Sequence, residues 1–184
     1  AGEIIKRGVK YYGIDISSGL VKVARQKYTQ EIKSGVVQFK IGDACKKLLY
    51  QNNFFDAAIS FAVLHHIPGV DKRLKFLQEL RRVLKPGGWA GIIVWNLLND
   101  WPRKRFGVEE QIKTPNPGLD ENDFLVGWKA TPGKDVKRFI HSFSVSELKN
   151  LATQAGFKKI TIGHYTRVGK KEKNGEELVL NVWK

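Results

Sequence analysis

Residues 11–17, YYGIDIS, read as a short strand that ends in an acid and hands over to a helix. In an open α/β domain an acid at that place commonly serves a ribose, after a glycine-rich loop that cradles the rest of the ligand. Only ten residues, AGEIIKRGVK, precede this strand, and they hold no such loop. Two readings of Asp15 are therefore open: a nucleotide ligand, or an ordinary residue in an ordinary turn.

Working outward, residues 2–7 look like the end of a helix stopped by Gly8, and residues 9–15 form the first strand. Ser17 or Ser18 can cap a helix over about 18–33, in which Leu20, Val23, Ala24 and Tyr28 recur at helical spacing. Residues 36–41 are a strand closed by Gly42-Asp43. The run FDAAISF, residues 55–61, is almost wholly apolar, as expected of a central parallel strand buried on both faces. Asp71 starts a helix with Leu74, Leu77, Leu80 and Leu84 inward, ended by Pro86 and the glycines of LKPGG. Residues 89–95 form another apolar strand. Residues 96–140 break this rhythm, with much Pro, Gly, Asn and charge and no clear period, so a long irregular insertion on the substrate side is expected. Ser144 and Glu147 have capping-box spacing at the start of a helix. Two strands, 157–167 and 176–183, finish the chain around the basic turn VGKKEKNGE.

Strands alternating with helices, then a terminal strand pair, predict an α/β fold: an open, mostly parallel sheet with helices on both faces and a C-terminal antiparallel pair. Ligands of such sheets sit beyond the carboxyl ends of the strands. Asp15, Asp43, the segment after Phe61 and the insertion after Trp95 all follow such ends. A length of 184 residues fits one domain with one sizeable core.

The net charge of +14 is spread along the chain rather than held in a tail, and only residues 96–140, with 8 basic and 7 acidic groups, come close to neutral. A distributed basic surface concentrates polyanions, nucleic acid being the commonest; a merely basic, soluble protein is the bland alternative. No apolar run approaches the ~20 residues of a membrane span, so no membrane partner is expected. The single cysteine, Cys45, excludes an internal disulfide and reads as an inert small residue in a reducing, cytoplasmic setting. His65-His66 lacks nearby Cys, Asp or Glu partners and makes a poor metal set, so no metal is expected. The chain has no methionine and starts with alanine, which suggests that its natural start is not Ala1.

Each acid alone is a weak signal, because strand ends often carry Asp as a cap. Two at consecutive strand ends are stronger. GIDIS, VQFKIGDA, FDAAISFAVLHHI and LRRVLKPGGWAGIIVW, in this order and spacing over residues 9–95, resemble the motifs of class I S-adenosylmethionine-dependent methyltransferases. The resemblance implies a Rossmann-like fold with S-adenosylmethionine as cofactor. It implies that Asp15 holds the ribose hydroxyls, that Ile16 packs on the adenine and that Asp43, beside Ala44, accepts from the adenine amino group. It also lays Ser60 and Phe61 along the methionine moiety.

A narrower resemblance lies downstream. Val126-Gly127-Trp128 and Arg138-Phe139-Ile140-His141-Ser142-Phe143 are similar to segments of the tRNA wobble-uridine methyltransferases that esterify 5-carboxymethyluridine. This implies tRNA as partner, a small zinc-ribbon activator that adds a strand beside VVQFKI, and a carboxylate substrate already ionised at neutral pH. Alignment, rather than a strong base, is then the catalytic task. Arg138, His141 and His65 are candidates to orient the carboxylate or uracil, and Trp95 or Trp128 to stack on the base. Trp128 and Phe143 can equally anchor the insertion to the core. Arg138 can pair with Asp135 at the surface. A small-molecule methyltransferase acting on quinones, and a non-catalytic RNA- or protein-binding remnant, stay open. The same resemblance puts a further strand and a Gly-x-Gly loop immediately before Ala1, between the strands that end at Asp15 and Phe61, and so reads the chain as N-terminally truncated.

Overall fold

The computed structural model describes residues 2–114, 116–128 and 136–184, and the backbone alone of Trp101 and Trp128. The chain divides into two compact units, Ala1–Leu49 and Tyr50–Lys184.

The first unit holds α1 (Gly2–Ile5), β1 (Tyr11–Asp15), α2 (Ser18–Lys27), α3 (Thr29–Lys33) and β2 (Val37–Ile41). β1 and β2 pair in parallel, Tyr11 opposite Val37 and Asp15 opposite Ile41. Ser17 caps α2 by accepting from the Leu20 amide at 3.2 Å. The expected single helix over 18–33 is two, broken at Tyr28. Its buried side chain is Val21, whereas Leu20 and Val23 lie exposed. Phe39 is the centre of this unit's packing, 5.8 Å from the Tyr11 ring and 5.7 Å from that of Tyr28. Position 13 must be glycine for that reason: a Cβ there would sit 2.5 Å from the Phe39 ring.

The second unit is built on a four-stranded mixed sheet, order β3-β4-β8-β7, with β3 (Phe55–Phe61), β4 (Leu84–Trp95), β7 (Lys159–Tyr165) and β8 (Glu177–Trp183). β3 and β4 run parallel, and β8 is antiparallel to both β4 and β7, as the terminal strand pair predicted. α4 (Val70–Val83) buries Phe76, Leu77, Leu80 and Val83, and α7 (Val145–Gln154) buries Leu148, Leu151 and Ala152. Each of these Leu, Val and Phe side chains contributes roughly 1.5–3 kcal/mol on leaving water. Ser144 caps α7 through the Glu147 amide at 3.1 Å.

Two expectations change here. Among the described residues FDAAISF is not buried on both faces: β4 is the only ladder partner of β3, and Ile59 and Phe61 are 53% and 64% exposed. Residues 96–140 are not irregular. They form α5 (Asp100–Arg105), α6 (Glu109–Lys113) and a hairpin of β5 (Asp123–Trp128) and β6 (Val136–His141). This segment has a core of its own, in which Leu97, Val108, Phe124, Val126 and Ile140 pack with Trp95 and Phe106. Gln111 stands in for a strand at the hairpin's edge, its amide donating to the Leu125 carbonyl at 3.0 Å and accepting from the Leu125 amide at 2.9 Å. Among the described residues no helix is long and apolar enough to cross a membrane.

Candidate active site

In the first unit, Asp15 and Asp43 follow the carboxyl ends of two neighbouring parallel strands, joined where the Gly42 amide donates to the Asp15 carbonyl at 3.0 Å. One carboxylate oxygen of Asp15 accepts from the Ser17 amide at 2.8 Å, and one of Asp43 from the Cys45 amide at 2.9 Å. These bonds fix each carboxylate and engage only one of its two oxygens. Ile16, 71% exposed, stands beside Asp15, and Ala44 beside Asp43 is half-buried. Two fixed acceptors and an exposed apolar side chain fit a ribose, an adenine amino group and an adenine face.

In the second unit, Ser60 and Phe61 end β3. The Ser60 hydroxyl is buried with no hydrogen-bond partner among the described residues, and the Phe61 ring is largely exposed. The chain then turns through Ala62, whose φ of 55° is unusual for a residue with a side chain, into a short 3₁₀ turn, Leu64–His66.

That turn places two histidines against the end of β4. The His65 ring is fully buried and stacks on Trp95, centroids 5.3 Å apart. Its Nδ1 accepts from the Trp95 amide at 3.2 Å, so Nδ1 carries no proton. Burial, and then the charges of His66 and Arg138, lower its pKa to about 3. The ring is therefore neutral at pH 7 and carries its proton on Nε2, an atom buried without a hydrogen-bond partner among the described residues. His66 has the opposite tautomer: Nδ1 donates to the Phe139 carbonyl at 2.8 Å, leaving Nε2 as the lone-pair end. Burial also lowers the His66 pKa, against the opposing pull of that bond.

Trp95 collects the other groups. The Arg138 guanidinium lies 4.5 Å from the indole centroid and that of Arg167 5.7 Å, while Phe106 stacks on it at 5.3 Å with 14° between the planes. Burial lowers the Arg138 pKa, but an arginine starts so high that it keeps its charge. Glu177, opposite Trp95 in the ladder, has its carboxyl raised by burial, partly countered by Arg167. The structure thus brings together His65, Trp95 and Arg138 of the sequence-predicted residues.

His141 belongs to another network. Its Nδ1 is 2.6 Å from Asp123 and its Nε2 2.7 Å from Glu147, so both ring nitrogens are committed to carboxylates inside the protein. Buried Arg73 approaches Asp123 at 3.8 Å and Asp120 at 4.0 Å and lies over Phe143. Burial raises the Glu147 carboxyl, but its bond to His141 and the charges of His141 and Arg73 bring it below the ordinary value. Phe143 is buried here, and the anchoring reading fits it. The side chain of Trp128, like Asp135, lies outside the described residues.

Sequence reading missed Phe106, Arg167, Arg73 and Glu147. Arg73 carries a usable signal, since its spacing from Phe76, Leu77 and Leu80 puts a cation on the buried face of α4. Arg167 and Phe106 lie in loops without period, and only the fold brings them to Trp95.

Against known proteins, the model of a methyltransferase domain family matches residues 1–92. A tRNA carboxymethyluridine 5-O-methyltransferase of Arabidopsis thaliana is 36% identical over 115 residues, covering 58% of this chain and 26% of that protein. A demethylmenaquinone methyltransferase of Leptospira interrogans is 34% identical over 92 residues, 49% of this chain and 35% of its own length. The chain thus spans about a quarter to a third of these two relatives. The crystal structure of a SAM-dependent methyltransferase of Methanosarcina mazei superposes with a TM-score of 0.70 at 25% identity, over 99% of this chain and 85% of that one. With half of its length inside the family model and its fold shared almost throughout, the chain belongs to the methyltransferase domain family, the class I S-adenosylmethionine-dependent enzymes.

Proposed function

We propose that this protein methylates the carboxymethyl group of a wobble uridine in cytoplasmic tRNA, forming a methyl ester. The observation that carries the reading is the neutral His65 beside Trp95 and Arg138. S-adenosylmethionine, when bound, supplies an electrophilic methyl group on a sulfonium. Asp15 and Asp43 are the residues that would hold its adenosine half, with Ile16 against the adenine.

A carboxylate, with a reference pKa of about 4, arrives as its own nucleophile. The protein must then fix its direction and exclude water. Arg138 is a planar donor held over an indole, suited to pairing with a carboxylate in two parallel bonds. His65 offers an Nε2–H to an oxygen and, with Nδ1 occupied, cannot take a proton in the neutral range. The Trp95 ring already contacts His65, Phe106, Arg138 and Arg167, which favours a role as platform for the arginines over direct stacking on the base. His141, with both nitrogens occupied, is read as holding the hairpin in place.

The second reading, methylation of a quinol, is favoured by the Leptospira relative. A phenolic hydroxyl has a reference pKa of about 10 and needs a base. His66 Nε2 is the lone pair at hand, and burial weakens it. The activator is proposed to add a strand along Val37–Ile41, whose only ladder partner among the described residues is β1. The test is transfer of labelled methyl to tRNA carrying 5-carboxymethyluridine, with and without a zinc-ribbon protein. A product that mild alkali removes is the ester; transfer to a quinol but not to tRNA selects the second reading.

A further inference from the structure

Two basic segments far apart in sequence meet around Trp95. α5 ends in Arg103, Lys104 and Arg105, and the next residue, Phe106, stacks on the Trp95 ring. The turn between β7 and β8 carries Arg167, Lys170, Lys171 and Lys173, all exposed, and Arg167 also reaches Trp95. Asparagines tie the two together: Asn99, the N-cap of α5, donates to the carbonyls of Asn174 and Gly175, and the Asn96 amide donates to the Glu176 carbonyl at 2.9 Å. The turn is shaped by its own backbone bonds, Thr166 to the Lys170 carbonyl at 2.9 Å and Glu172 to the His164 carbonyl at 3.0 Å. Arg103 is partly neutralised by Glu109 at 3.6 Å, and Asp100 and Glu172 lie within these segments. Lys104, Arg105, Lys170 and Lys171 form no ion pair among the described residues.

We infer that this paired surface, α5 with the β7–β8 turn, holds the phosphate backbone of the RNA whose modified nucleotide is presented to Arg138. The inference rests on the tRNA reading above and adds where the RNA lies. Exposed lysines and arginines spread over two loops suit sequence-independent phosphate contacts, which position a nucleic acid without reading it. Their position on two sides of Trp95 lets backbone contacts made by both segments direct one nucleotide inward.

The test is fluorescence anisotropy with unfractionated tRNA over a KCl series. It compares the protein with a variant carrying Lys104→Gln, Arg105→Gln, Lys170→Gln and Lys171→Gln. A second variant removes four exposed charges elsewhere in the unit, at Lys72, Lys75, Lys149 and Lys158. Each lost phosphate contact lowers the slope of log K against log salt by about 0.9, so the patch variant should lose about 3–4. Its KM for tRNA should rise at least tenfold with kcat at saturation unchanged, whereas the second variant should keep most of the slope. Equal slopes in the protein and the patch variant, or an equal loss in both variants, would overturn the patch while leaving the tRNA reading standing. No salt-dependent tRNA binding by the unaltered protein would overturn both. A melting curve checks that the patch variant is folded, and Lys104→Arg with Lys170→Arg and Lys171→Arg should bind as the unaltered protein does.

Discussion

His65 links the acid stability of this protein to its site. In an unfolded chain the imidazole titrates near 6.5, and in the folded protein near 3, because charging it would place a cation in a buried pocket beside His66 and Arg138. Between these values the unfolded state binds a proton that the folded state refuses. Stability therefore rises with pH across this window and falls as pH drops below about 7. At pH 5 the ring is almost fully protonated when unfolded and almost fully neutral when folded, which gives a loss of about 2 kcal/mol relative to pH 8. His65→Asn removes the titration while keeping an acceptor near Nδ1 for the Trp95 amide. Urea denaturation of both proteins at pH 5, 6, 7 and 8 isolates the contribution as a difference of differences. His66 adds a loss of the same sign, and Glu147, whose carboxyl is lowered, loses its contribution only below the acid end of the series. Both remain in the variant and subtract out. The variant should be less stable at pH 8, because a smaller side chain leaves a gap, and should lose about 2 kcal/mol less on going to pH 5. An identical pH dependence in the two proteins would show that His65 is charged or exposed in solution, and the neutral-donor role would fall with it.

Arg138→Lys keeps the charge but loses the planar stack on Trp95, so kcat/KM should fall about tenfold or more, with the melting temperature little changed. Asp15→Asn should weaken S-adenosylmethionine binding about ten- to a hundredfold by calorimetry, since hydrogen bonds to a charged group contribute about 1.5–3 kcal/mol. His141→Phe leaves Asp123 and Glu147 without the ring that joins them and should cost about 3–5 kcal/mol in denaturant unfolding. A normal melting curve with a lost kcat would return His141 to the substrate side.

The elements with strict periodicity were readable from the sequence. Leu77 and Leu80 of α4, the apolar β4 and the Ser144 cap lie where spacing put them, because local pattern and tertiary burial agree there, whereas Leu84, expected on the helix, opens β4. FDAAISF is almost wholly apolar, yet among the described residues it leaves Ile59 and Phe61 exposed, which composition alone does not report. The insertion hid its order for a different reason. α5 and α6 are 6 and 5 residues long, too short to display a helical period, and the edge of β5 is completed by the side chain of Gln111. The positions of Asp15 and Asp43 at strand ends were legible because each follows directly from where an apolar run stops. The grouping around Trp95 was legible in part, since three of its members come from loops whose paths no local rule fixes.

Strand alternation separates Arg138 from His141. RFIH, residues 138–141, lies in β6, and strand side chains alternate between faces. Arg138 and Ile140 share one face, where Ile140 joins Leu97, Val108, Phe124 and Val126 in the cluster that packs Trp95 and Phe106. His141, three residues from Arg138, belongs to the other face. The register agrees: Val126 stands opposite Arg138 and Phe124 opposite Ile140, whereas His141 faces Asp123, the carboxylate it binds. A one-residue slip of β6 would exchange the two sets, putting His141 into the apolar cluster and Ile140 among carboxylates. The buried Asp123–His141–Glu147 network therefore fixes the register that presents Arg138 to Trp95, with His66 holding the same strand through the Phe139 carbonyl. In this strand the histidine serves the site by deciding where the arginine points.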